Sequence, residues 1–163
     1  MHDDPLRTTP LGMIRYSHEF LEAAKIVDEN IGDQPGFEIV APIPAQYLVG
    51  HSIELSLKSF LLHNGISLRE LRSSHYGHNL HACLRKGKEL GLLNHVQFTA
   101  QENSAFETLN ALYSTKQLEY IVTGEKRFPI FGHIELFAVK LCNAVSDIVG
   151  FEKQFTGYIY TKP

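Results

Sequence analysis

The chain has 163 residues, of which 44% are hydrophobic and 20% charged, an ordinary globular composition that excludes collagen-like, low-complexity and wholly disordered readings. This length predicts a single domain, with its core at about 13–149, that is large enough to fold without disulfides or metal. The net charge of −3 predicts no bulk attraction to nucleic acid, and the start MHDDPLRTTP lacks the basic and apolar runs of a signal peptide, so a cytoplasmic protein with no membrane span is expected, with Cys83 and Cys142 as buried thiols of a reducing compartment.

Met13, Tyr16, Phe20, Ala24, Val27 and Ile31 recur every three or four residues and predict one apolar stripe on a first helix ending near Gly32. A loop rich in Gly and Pro follows, with Pro35, Gly36, Pro42 and Pro44, where only 37–40 can form a short extended segment. The second helix, about Ala45 to His63, stops at Asn64-Gly65. It carries Val49, Ile53, Leu57, Phe60 and Leu61 on one side and Leu48, Leu55 and Leu62 nearly opposite, so it must be covered from two directions. That demand predicts a central helix and, if one bundle leaves a stripe bare, a homodimer. Between the stripes lie Ser52, Ser56 and Ser59, small enough to admit a neighbouring backbone, and on the other side Glu54 and Lys58 at the favourable i,i+4 spacing.

Ser67-x-x-Glu70 has a capping-box pattern and opens a short helix. Asn79 caps a helix bearing Leu80, Cys83, Leu84 and Leu90, which Gly91 closes. Thr99-x-x-Glu102 is a second capping box, before a helix whose inner face is Ala105, Phe106, Leu109, Leu112 and Tyr113. The last helix, His133 to Val149, sets Ile134, Phe137, Ala138, Leu141, Ala144, Val145 and Ile148 against Glu135, Lys140, Asn143, Ser146 and Asp147, and Gly150 ends it. The tail, with Phe155, Tyr158 and Tyr160, reads as a second extended segment near 155–161. The whole is an all-α bundle of four to six helices without an internal repeat.

Nine histidines invite a metal reading, and His75, His78 and His81 are spaced by three. Gly77 falls before the helix, and no acidic or thiol ligand is adjacent, so neither metal nor other cofactor is expected. Phosphate-loop, dinucleotide, Gly-x-Ser-x-Gly and His-Glu-x-x-His motifs are missing. The segment 67–88 is locally basic, with Arg69, Arg72, Arg85, Lys86 and Lys88 against Glu70 alone.

The helix YLVGHSIELSLKSFLLHNG, 47–65, followed by YGHNLHACLRKGKELGL, 76–92, resembles the HEPN superfamily, named for nucleotide-binding domains of higher eukaryotes and prokaryotes. There a Glu-x-x-x-Lys helix precedes a Gly-His-Asp-Leu-like segment in an up-and-down bundle; here the positions are Glu54, Lys58, Gly77, His78, Asn79 and Leu80. Many similar proteins are metal-independent endoribonucleases marked by an Arg, four to six residues and a His at the start of the last helix. Arg127 and His133, with five residues between, have that spacing and place, and Arg72 and His78 repeat the bare spacing earlier in the chain. A guanidinium can grip a phosphodiester with two parallel hydrogen bonds, while an imidazole moves the proton of a 2′-hydroxyl. Phe128 stands where active members are usually polar, Pro129 interrupts the stretch, and the chain is acidic overall.

The resemblance therefore implies first a non-catalytic binding or regulatory module for a nucleotide, RNA or a protein partner such as a nucleotidyltransferase, with Glu54, Lys58, Arg72 and His78 as binding residues. The alternative is a toxin or phage-defence ribonuclease, paired with an antitoxin, that uses Arg127 and His133.

Overall fold

Four helices begin on side-chain caps. Thr9 accepts the Gly12 N–H at the head of α1 (Pro10–Val27), Ser67 that of Glu70 at α3 (Leu68–Leu71), Asn79 that of Ala82 at α4 (Leu80–Glu89) and Thr99 that of Glu102 at α5 (Ala100–Tyr113). Each bond satisfies an N–H that helix geometry leaves unpaired. The Thr99–Glu102 capping box is complete in both directions. In the computed structural model, which describes residues 7–157, these four join α2 (Ile43–His63) and α6 (Phe131–Val149) to make an all-α bundle, with no strand among the described residues. A π-helical turn, Asp28–Gly32, prolongs α1 to the expected end. Gly91 and Gly150, both in the left-handed region, follow α4 and α6. No helix among the described residues is long and apolar enough to cross a membrane.

Neither 37–40 nor 155–157, the described parts of the two segments expected to be extended, is a strand. Residues 38–40 are bends, 37 and 155–157 are irregular, and the rest of the second segment, to 161, lies outside the described residues. The described residues offer them no strand to pair with, and Phe155 instead bonds the side chain of Asn143.

The helix α2 is central, packed by α1, α4, α5 and α6. Val49, Ile53, Leu57, Phe60 and Leu61 are buried on it, and Leu48, Leu55 and Leu62 are half-buried. The first stripe is thus covered within one chain, and the second only in part, with Leu48 and Leu62 packed against the core. The serine side admits α1 as anticipated: Ser17 Oγ lies 2.9 Å from Ser52 Oγ and 2.7 Å from Ser56 Oγ, and Ser59 Oγ donates to Pro10 O.

That contact corrects the face assigned to α1. Its buried residues are Ile14, Ser17, His18, Leu21 and Ala24, while Tyr16 and Ile31 are exposed. Hydroxyls share the seam with α2 beside Ile14, Leu21 and Ala24, so counting apolar residues alone rotated the stripe. The same bias affected α6, where Ser146, expected on the polar face, is fully buried against His18. Lys140 is drawn inward by the buried carboxylate of Glu102, with an Nζ–Oε1 distance of 2.7 Å.

Candidate functional site

Glu54 sits mid-α2, 5% exposed, where an unpaired carboxylate would be prohibitive. Four side chains close around it. Lys58, one turn on, donates to Oε1 at 2.5 Å, and Tyr113 Oη of α5 donates to Oε2 at 2.6 Å. His78 Nδ1, in the turn before α4, lies 3.1 Å from Oε2, and His51 Nδ1 lies 3.0 Å from Tyr113 Oη. Since the Tyr113 proton goes to Glu54, Oη accepts from the His51 Nδ1–H. Lys58 also donates to Gly77 O at 2.7 Å, which ties the turn before α4 to the central helix.

Burial alone would push the Glu54 carboxyl up; the Lys58 ammonium, with hydrogen bonds from Lys58, Tyr113 and His78, outweighs it and holds the carboxyl below its ordinary value. Burial, then the Glu54 charge, drives the Tyr113 phenol far up, and burial pushes the His51 imidazole down. Three residues implied by the resemblance, Glu54, Lys58 and His78, thus converge. What covers the Glu54–Lys58 pair is α5 and the turn before α4. Both oxygens of the carboxylate are already engaged, so this cluster joins three elements, α2, α5 and the turn before α4.

Arg72 is exposed at the end of α3 and makes no bond in this cluster. His51 and Tyr113 were not anticipated as its members. The signal for His51 was present: it stands three residues before Glu54 on the same helix face. Tyr113 shows no such signal, because its partner is 59 positions away.

Arg127 and His133 lie at the opposite side of α5. His133 is not the cap of α6, since Ile130 occupies that position and makes no side-chain cap bond. Its side chain lines an open hollow of about 420 Å³ with Gln101, Ser104, Thr108, Phe128 and Ile130. Arg127 lines a second, of about 400 Å³, with Glu107, Gln117, Glu125 and Lys126. The hollows share Thr108. The first presents two hydroxyls, an amide, an imidazole and an aromatic ring, and the second adds two cations beside two carboxylates.

His75, His78 and His81 do not converge: His75 meets the Tyr76 ring, His78 meets Glu54 and His81 lies 3.7 Å from Glu107. No cluster of three or more potential metal ligands occurs among the described residues. Cys83 and Cys142 are unbridged, and burial pushes their thiols up to about 12 and about 11, which makes them poor nucleophiles. No family model, curated protein or solved structure matches the chain.

Proposed function

We propose that the chain is a non-catalytic binding module of HEPN type that takes a nucleotide or single-stranded RNA on the face between α5 and the start of α6. The observation that supports this most is the placing of Arg127 and His133 in two different hollows, with Phe128 lining the one that holds His133. A phosphodiester-cleaving pair must converge on one phosphate. Two adjoining hollows with an aromatic ring in one and cations in the other suit a base and a phosphate bound side by side. Glu54, Lys58 and His78 then serve the fold under that face.

The alternative, a metal-independent endoribonuclease, is favoured by the shared Thr108, which keeps the two hollows adjacent. The experiment is a nuclear magnetic resonance titration with adenosine monophosphate and with a short mixed-sequence RNA. The reading expects shifts confined to residues around Ser104, Thr108, Phe128 and His133. Shifts centred on His51 and His78 would overturn the assigned face, and no shift with either probe would redirect the reading to a protein partner, a nucleotidyltransferase or an antitoxin.

A further inference from the structure

The last described segment forms a cover over the seam of α1 and α6. After Gly150 the chain turns back along both helices, and one side chain holds Phe155 at both backbone groups. Its N–H donates to Asn143 Oδ1 at 2.8 Å, and its C=O accepts from Asn143 Nδ2 at 3.0 Å. Gln154 Nε2 donates to Asp147 Oδ1 at 2.8 Å, and Lys153 pairs with Glu22 of α1 at 2.9 Å. Beneath lies His18, 1% exposed. Its ring stacks on Phe155 with centroids 4.7 Å apart and meets the Phe151 ring at 5.0 Å.

The hydrogen bonds define the state of that imidazole. Ser146 Oγ donates to Cys142 O and so accepts from His18 Nε2–H, 2.9 Å away. Nδ1 therefore carries the lone pair, and it is buried without a partner. A proton there would create a cation with no acceptor. The charged groups nearby are committed elsewhere: Glu22 of α1 to Lys153 of the cover, and Asp147 of α6 to Gln154. Lys25 of α1 stands over the Phe155 ring, Lys153 adds repulsion, and α2 meets α1 here through serine hydroxyls.

We propose that Phe151–Gly157 is an acid-released cover, opened from α1 and α6 when His18 Nδ1 takes up a proton. With the cover shut, burial, followed by the Lys153 charge, pushes the His18 imidazole from 6.5 down to about 4. With it open, the ring regains its ordinary value. Because opening then binds one proton, the ratio of open to shut chains rises about tenfold for each unit by which the pH falls between those two values. Gly150 and Gly157, both at positive φ, bound the segment, and its opening bares the two phenylalanines and their seat.

Amide hydrogen exchange on the full chain tests this, with rates corrected for the intrinsic effect of pH. The Phe155 amide reports the cover and the Ile53 amide reports global unfolding. The expected result is that Phe155 protection falls about tenfold for each unit the pH drops below the ordinary histidine value and stays well below that of Ile53 at every pH, so that the cover opens without global unfolding. His18→Phe, which keeps a ring under Phe155 and cannot take a proton, abolishes the dependence; His18→Gln does the same should the first variant fail to fold. Glu22→Gln and Asp147→Asn retain it. A Phe155 protection flat in pH, a Phe155 protection equal to that of Ile53 so that exposure requires global unfolding, or a dependence that survives both His18 substitutions overturns the proposal.

Discussion

Tyr113 lies so close over Gly50 that a Cβ on the glycine would stand 2.6 Å from Tyr113 Cδ2. Only a residue without a side chain lets α5 come near enough to α2 for the phenol to reach Glu54. Gly50→Ala is expected to destabilise the fold by about 1–3 kcal/mol through overpacking and to displace the Tyr113 hydroxyl. Urea unfolding measures the cost, and the ring shifts of Tyr113 in a proton spectrum report the displacement. An alanine variant as stable as the parent, with unmoved Tyr113 resonances, would place the two helices further apart than described.

The Glu54–Lys58 pair separates two magnitudes. On an exposed helix face such a pair contributes about 0.3–0.5 kcal/mol, whereas removing one member of a buried pair costs about 3–5 kcal/mol. With the side chains 7% and 12% exposed, the larger figure applies. Lys58→Met should therefore be severely destabilising, and the double variant Glu54→Gln with Lys58→Met should recover a large part of the loss. A single-variant cost below about 1 kcal/mol would show that the pair is solvated.

Local rules carried the fold a long way. Thr99, Asn79 and Ser67 lie next to the helices they start, and each cap depends on the residue three positions ahead, so they are legible from the chain alone. The α1 face was misjudged because Ser17 and His18 are polar by type and buried by context: their partners, Ser52, Ser56 and Ser146, come from other helices. Glu102 shows both cases. Its bond to Thr99 follows from a four-residue pattern, and its pairing with Lys140 is 38 positions away and invisible to any pattern. Spacing alone could not decide whether Arg127 and His133 share one hollow, because the irregular stretch between them sets the direction of each side chain.

Acid should weaken the fold in two stages. His18 and His51 have imidazoles pushed below the ordinary value by burial, so the unfolded chain binds protons first and stability falls as the pH drops below that value. The Glu54 carboxyl is held below its ordinary value, so its contribution is whole above the usual carboxylate range and is lost as pH falls through the folded value. Urea midpoints followed against pH should decline in both windows. His18→Phe should make the upper one shallower, leaving the His51 part, and Glu54→Gln should flatten the lower one, at the cost of lower stability near neutrality. A midpoint insensitive to pH in the parent chain would contradict both assignments.

The account rests most on Arg127, Phe128 and His133 binding a ligand without cutting it, and one measurement addresses that directly. An end-labelled mixed-sequence RNA is incubated with the parent chain and with Arg127→Ala, Phe128→Ala and His133→Ala, and both bound fraction and strand length are read. The account predicts full-length RNA in every lane, binding weakened by Phe128→Ala by about 1–3 kcal/mol through lost stacking, and a salt dependence reduced by about one ion for Arg127→Ala. Shortened RNA with the parent chain, restored to full length by His133→Ala, would contradict it and establish the endoribonuclease in its place.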